Sequence, residues 1–242
     1  LNEGLERQNT ELQAVNNELE AFSYSVSHDL RAPLRAIDGF SKILQGSLEG
    51  SLSERDSDYF NRIRKAAQNM SKLIDDLLTL ARVTRADVKL ASLNLSRLAT
   101  TVAERLMENQ PERDITLQIE PDIKVLADPA LLQVAIENLL GNAFKFTTTQ
   151  DKALIEVGSM IKDGETVVFV RDNGVGFDMN YADKLFIPFQ RLHSASEFPG
   201  TGVGLASIKR VMSKLGGRIW AESSVGQGAT FYLQFARIGA EQ

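Results

Sequence analysis

The chain has two histidines, and one of them, His28, lies in the run SVSHDLRAPL, with Asp29 beside it, Arg31 and Arg35 following, and Pro33 five residues on. An imidazole next to a carboxylate can serve as a nucleophile or proton carrier whose tautomer the neighbour fixes. A second group lies in ENLLGNAFKF, where Asn138, Asn142 and Lys145 recur at i, i+4 and i+7 and share roughly one helix face. Asparagine is a poor interior helix residue, so two of them aligned suggest an amide face aimed at a ligand. A third group is RDNGVGFD, where Asp172 ends a strand before the turn glycines Gly174 and Gly176. A carboxylate at such an edge can accept from an exocyclic amine. The fourth is GTGVGLAS, with Gly200, Thr201, Gly202, Gly204 and Leu205 leading into a helix. Its backbone N–H groups can approach phosphates closely, and the helix N-terminus adds favourable partial charge. GQGATF, with Gly226, Gly228 and Thr230, reads as a hairpin turn.

Two kinds of architecture must position these groups. Residues 1–86 follow a helical pattern with little glycine. Leu5, Leu12, Leu19 and Val26 recur by sevens, a short and rather polar coiled-coil seam. The stripe Val26, Leu30, Pro33, Ile37, Phe40 and Leu44 continues it, and His28 points roughly 200° away, on the opposite side. Pro33 removes a backbone donor and is expected to loosen the helix. QGSLEGSLSERD is a helix–helix turn in which Ser53 and Asp56 form a capping box, and Ile63, Met70 and Leu77 mark a second helix. Leu34, Ile43, Ala67, Ile74 and Leu78 flank the two stripes. Two helices enclose too little apolar surface alone, so a homodimer forming a four-helix bundle is the expected solution.

From about residue 93, helices expected at 95–109, 129–146 and 203–215 mix with the strand candidates DITLQIE, IKVLAD, ALIEVGSMI, TVVFVRD, RIWAES and ATFYLQF. Two adjacent strand pairs are hairpins, which makes the sheet mixed, with helices on one face, an α+β sandwich. The expected segments are an N-terminal signalling coiled coil (1–22), a helical hairpin domain (23–86), a linker (87–93) and an α+β domain (94–242).

Composition narrows the function. A formal charge of −5 provides no basic footprint for nucleic acid. With no cysteine, disulfides and thiolate metal sites are excluded. No apolar run approaches the roughly 20 residues needed to span a bilayer. The start at Leu1 suggests a piece of a longer chain.

In this order and spacing, the four groups resemble one family. The C-terminal half is similar to the Bergerat-type ATP-binding domain shared by histidine kinases, gyrase, Hsp90 and MutL. With SHDLRAPL, residues 20–237 resemble the catalytic core of a two-component sensor histidine kinase, most like those linked to phytochrome or PAS sensors. The resemblance implies ATP and Mg²⁺ as cofactors, a response regulator receiver domain as partner, an upstream sensor absent from this chain, and a cytoplasmic location. His28 matches the phosphoacceptor, Asp29 the acid that fixes its tautomer, and Arg31 a group that helps neutralise the phosphoryl. Asn142 matches the Mg²⁺ ligand, Lys145 a phosphate contact, and Asp172 the acceptor of the adenine amine, above Gly174 and Gly176. Gly200, Thr201, Gly202, Gly204 and Leu205 match the phosphate loop; Phe186 and Phe189 anchor a lid, Arg191 reaches the nucleotide, and Thr230 belongs to the last nucleotide-binding box. Asn138 stands where the ATPase relatives place a water-activating glutamate, and an amide cannot take that proton. Ala32 replaces the usual Thr or Asn that orients water for dephosphorylation, so weak phosphatase activity is expected. His193 is expected to be a surface residue of the lid. A non-catalytic nucleotide-binding module and a gyrase-like ATPase are the alternatives; intact His28, Asn142 and Asp172 argue against the first, and Asn138 against the second.

Overall fold

A computed structural model of the chain describes residues 27, 29–48, 50–162, 164–194 and 197–235. His28, Val26 and the expected coiled coil at 1–22 lie outside the described residues. The chain divides into two compact units, Leu1–Ala81 and Arg82–Gln242.

In the first unit, α1 (29–47) is helical through Pro33 and turns back into α2 (Glu54–Arg85). Ser53 caps α2, its Oγ accepting from Asp56 N–H at 3.2 Å, but the expected capping box is replaced by a side-chain pair in which the same hydroxyl donates to the Asp56 carboxylate at 2.6 Å. Polar ties run along the hairpin, from Gln45 to Ser57 and Asn61, from Arg64 and Gln68 to Asp38, and from Arg31 to Asp75. The apolar packing differs from expectation. Leu34, Ala67, Ile74 and Leu78, the flanking residues, form the buried cluster. The principal stripe of Leu30, Ile37, Phe40 and Leu44 stays exposed, with Phe40 at 66%, and so do Ile63, Met70 and Leu77 on α2. A helix with apolar residues over more than half its circumference has two candidate inner faces, and within one chain the narrower one is used.

The second unit is an α+β sandwich. The strands β1 (Ala91–Asn94), β2 (Ile115–Ile119), β3 (Lys124–Ala127), β4 (Ala153–Lys162), β5 (Glu165–Asp172), β6 (Arg218–Ser223) and β7 (Ala229–Gln234) alternate with α3 (Leu95–Glu108), α4 (Pro129–Phe146) and α5 (Gly204–Lys214). The main sheet has the order β2-β4-β5-β7-β6, with β2 parallel to β4 and the remaining pairs antiparallel. β1 and β3 form a separate antiparallel pair, so residues 91–94, spanning the end of the expected linker and its junction with the next domain, are a strand. Four residues are too few for an alternation to stand out in sequence.

α4 lies between α3 and α5 and packs on β4 and β5. Its entry is fixed by Asp128, which caps Ala130 and Leu131 N–H with one carboxylate oxygen and takes Lys89 N–H on the other at 3.0 Å. Its exit is closed by Arg113, whose guanidinium donates to Phe144 O at 2.9 Å and Thr147 Oγ1 at 3.0 Å, a cation at a helix C-terminus. The sheet's helix-facing side contributes Ile155, Val157, Val168, Val170, Phe231 and Leu233 to one core with all three helices. Trp220 stacks on Tyr232, with centroids 5.1 Å apart.

Two turns at one end of the sheet lock together. Gly226 N–H donates to Val175 O at 2.7 Å, and Ser223 Oγ accepts from Phe177 N–H while donating to Gly228 O. A Cβ on Gly228 would stand 1.9 Å from Asp172 O, at a φ of +83°, whereas one on Gly226 meets nothing within 4 Å. Gly228→Ala is therefore expected to cost about 3 kcal/mol or more, from left-handed strain plus a backbone clash. Gly226→Ala should cost only the strain, about 1–2 kcal/mol. Urea unfolding followed by fluorescence of Trp220, the single tryptophan, measures both; equal losses would show that the close approach to Asp172 carries no weight.

Candidate functional site

The exposed pattern of α4 supplies the first wall. Asn138 donates to Val134 O at 2.8 Å, and its Oδ1 lies 2.4 Å from where a Cβ on Gly204 would stand, so any side chain at the first residue of α5 would displace it. Asn142, one turn on, is half-buried, and its amide makes no side-chain hydrogen bond among the described residues. Lys145 Nζ stands 3.3 Å from the corresponding point at Gly200 and 4.2 Å from the ring centroid of Phe146. The side of α4 that carries Asn138 and Lys145 thus lies against the glycine loop at Gly200 and Gly204. The N-terminus of α5 has no side-chain cap, which leaves its first N–H groups for an anion.

The second wall is the end of β5. Asp172 is buried; its Oδ1 accepts from Gly174 N–H at 2.8 Å. Loss of solvent pushes its carboxyl up to about 6, against the lowering effect of Gly174 and Ala229 N–H. Gly174 packs on α4, where its Cβ would fall 2.4 Å from Phe146 O, and Val175 N–H donates to that same carbonyl at 3.2 Å. Asp172 pairs with Ala229 in the β5–β7 ladder, and Thr230 pairs with Arg171. Strand alternation therefore puts Thr230 on the opposite face, where its hydroxyl accepts from Arg171 Nε at 3.3 Å. The expected place of Thr230 at the nucleotide is corrected: Ala229 faces the Asp172 side.

The segment between the walls also departs from expectation. Phe186 packs half-buried against the core, but the Phe189 ring is 56% exposed, and its backbone does the anchoring through an N–H bond to Gly202 O at 3.0 Å. Phe189 holds a φ of +66°, uncommon for a bulky residue. Arg191 is turned onto its own loop, donating to Phe198 O and to Ser194 O at 3.4 Å, rather than toward α4. Leu205 is half-buried against the core, so it supports the loop rather than lining it. Thr201 Oγ1 accepts weakly from Val203 N–H at 3.4 Å. His193 is not a solitary surface residue. It packs with Phe146 and Phe198 in a three-ring cluster. Phe146, Phe198 and Ala229 are site residues that motif reading missed; the aromatic directly after Lys145 at a helix end was the available signal for Phe146.

Among the described residues no three His, Asp, Glu or Cys side chains gather as a metal cage. A hard cation in this site would draw its oxygens from phosphate, water and an amide such as that of Asn142, which suits Mg²⁺ delivered with a nucleotide. In the first unit Asp29 is exposed, and Arg31 grips Asp75 Oδ1 through Nε at 3.0 Å and a terminal nitrogen at 2.6 Å. The guanidinium expected to neutralise a phosphoryl group is thus held by α2. No helix among the described residues is long and apolar enough to cross a membrane.

Residues 18–86 match the family described as His Kinase A (phospho-acceptor) domain, and residues 127–238 match the histidine kinase-, DNA gyrase B-, and HSP90-like ATPases. The chain is 31% identical over 96% of its length to cyanobacterial phytochrome A of Nostoc sp.. It is 36% identical over 90% of its length to the methanogenesis regulatory histidine kinase FilI of Methanothrix harundinacea. It spans 30% of the first of these relatives and 24% of the second. Among solved structures, full-length ShkA in complex with AMPPNP superposes with a TM-score of 0.65 at 26% identity, covering 91% of this chain and 47% of that one. A phosphoacceptor helical segment followed by an ATP-binding α+β unit places the chain in the two-component histidine kinases, with the two domains of their catalytic core.

Proposed function

We propose that this core transfers the ATP γ-phosphoryl group to Nε2 of His28 and then donates it to an aspartate of a response regulator receiver domain. In the first step the Nε2–P bond forms, the bond to the β,γ-bridging oxygen breaks, and ADP leaves. The observation that carries the nucleotide half is Asp172: a buried carboxylate with backbone donors Gly174 and Ala229, at the mouth of a glycine-lined site. The adenine amine is the donor that such a group lacks. Lys145 and the uncapped α5 N-terminus take the phosphates, and Asn142 is the residue to hold Mg²⁺, which when bound neutralises phosphate charge. Asp29 accepts from His28 Nδ1–H and leaves Nε2 as the lone-pair nitrogen. Arg31 serves once it leaves Asp75. With Asn138 in place of an acid, the site holds ATP without activating water.

The exposed stripe of Leu30, Ile37, Phe40 and Leu44 with Ile63, Met70 and Leu77 supports a homodimer, two hairpins closing a four-helix bundle. The need for ATP as donor supports a reaction in the cytoplasm.

Four outcomes test this reading. Incubation with γ-labelled ATP and Mg²⁺ should give acid-labile, alkali-stable label on the wild type and none on His28→Gln; label on both would remove His28 from the acceptor role. Burial pushes the Asp172 carboxyl up to about 6, and its ionised form is the stronger acceptor for the adenine amine, so the apparent ATP Kd should rise as pH falls through that value. Titration of a fluorescent ATP analogue between pH 5 and pH 8 checks it, and Asp172→Asn should bind about 10- to 100-fold more weakly at neutral pH. Ala32, exposed on α1, offers no hydroxyl or amide to orient water, so Ala32→Thr should raise the dephosphorylation of a phosphorylated receiver severalfold; an unchanged rate rejects the assignment.

A further inference from the structure

The three-ring cluster joins the end of α4 to the segment that bears His193. His193 lies 5.4 Å from Phe146 at 44° and 5.4 Å from Phe198 at 68°, and Phe146 lies 5.1 Å from Phe198 at 57°. All three pairs fall in the tilted or edge-on range where aromatic rings attract. Phe198 is buried, and the other two rings are half-buried. No protein hydrogen bond to either His193 ring nitrogen is found among the described residues, so the side chain acts here as a ring.

Each partner carries the contact somewhere useful. On one side, the Phe146 ring lies beneath Lys145 Nζ, and its carbonyl holds the turn that follows Asp172. On the other, the loop bearing His193 is bonded to itself. Arg191 donates to Phe198 O, and Ser194 Oγ and Glu197 Oε2 pair at 2.9 Å. Its stem is closed by the bond from Phe189 to Gly202. The loop is a preformed piece, and the rings fasten it to the end of α4.

We propose that His193 is a positioning residue for ATP: its imidazole and Phe198 dock against Phe146 and so hold Phe146, Lys145 and Gly200 in the arrangement that takes the nucleotide. This rests on the reading of the site as the ATP site. The role needs an aromatic face, not an imidazole nitrogen, and it acts on binding rather than on the transfer step.

The test is ATP dependence of autophosphorylation, with direct binding of a fluorescent ATP analogue, in the wild type, His193→Ala, His193→Phe and Asp172→Asn. Loss of two ring pairs in His193→Ala should raise KM and the analogue Kd about five- to tenfold, with kcat within about twofold. His193→Phe should restore both to near wild-type values. A Trp220 fluorescence melt confirms that each variant is folded. Unchanged KM and Kd in His193→Ala would overturn the proposal, and so would His193→Phe as impaired as His193→Ala, since the nitrogens would then be the working groups. Those results with Asp172→Asn still weakened strike only His193; if Asp172→Asn binds as tightly as the wild type, the ATP-site reading itself falls.

Discussion

The carbonyl of Phe146 accepts from Val175 N–H at 3.2 Å, and the geometry of the site depends on that bond. It joins the last turn of α4, which carries Asn142 and Lys145, to the turn that carries Asp172. Helix ends fray unless their carbonyls find donors. Here Arg113 takes Phe144 O, and Val175 takes Phe146 O. The glycine at position 174 is what lets the two backbones meet, since a Cβ there would lie 2.4 Å from the same oxygen. The groups assigned to phosphate and base are thereby joined by main chain, while the segment bearing His193, closed at its stem by the Phe189–Gly202 bond, meets the end of α4 through side-chain rings. That difference matches their tasks, because a lid must exchange contacts that a floor must keep.

A buried acid without a cationic partner is an unusual thing to retain. Its native carboxyl titrates above the ordinary Asp value, so the folded domain binds a proton more readily than the unfolded chain does. Asp172 therefore favours folding most at low pH, and that contribution fades as pH rises from the ordinary value through about 6. At neutral pH this buried charge is met by the Gly174 and Ala229 N–H groups, and in the proposed reading the adenine amine adds a further donor.

Much of this was legible in the residues. Helix limits of 95–109, 129–146 and 203–215 became Leu95–Glu108, Pro129–Phe146 and Gly204–Lys214, because Asn94, Asp128 and the glycine loop punctuate them clearly. That the asparagine face and the glycine loop belong to one site was implied by the family resemblance, not by the residues of either segment alone. What failed did so for identifiable reasons. Thr230 came with the last box of the family resemblance, yet period-two alternation puts Ala229 on the Asp172 face. Periodicity found both apolar faces of α1 but could not rank them, since packing within one chain and packing between chains leave the same pattern. His193 sits in a loop with no period at all, and its neighbours come from α4 and from five residues on.

The small cluster of Leu34, Ala67, Ile74 and Leu78 has a consequence for how the helical unit exists at all. Four side chains, one of them an alanine, bury too little to offset the ordering of two long helices. If the wider stripe is completed only by another copy, folding of this unit is a bimolecular event. Its melting temperature then depends on how much of the protein is present, and dilution alone unfolds it. The amount of kinase a cell makes becomes one of the variables that set whether His28 is presented on an ordered helix.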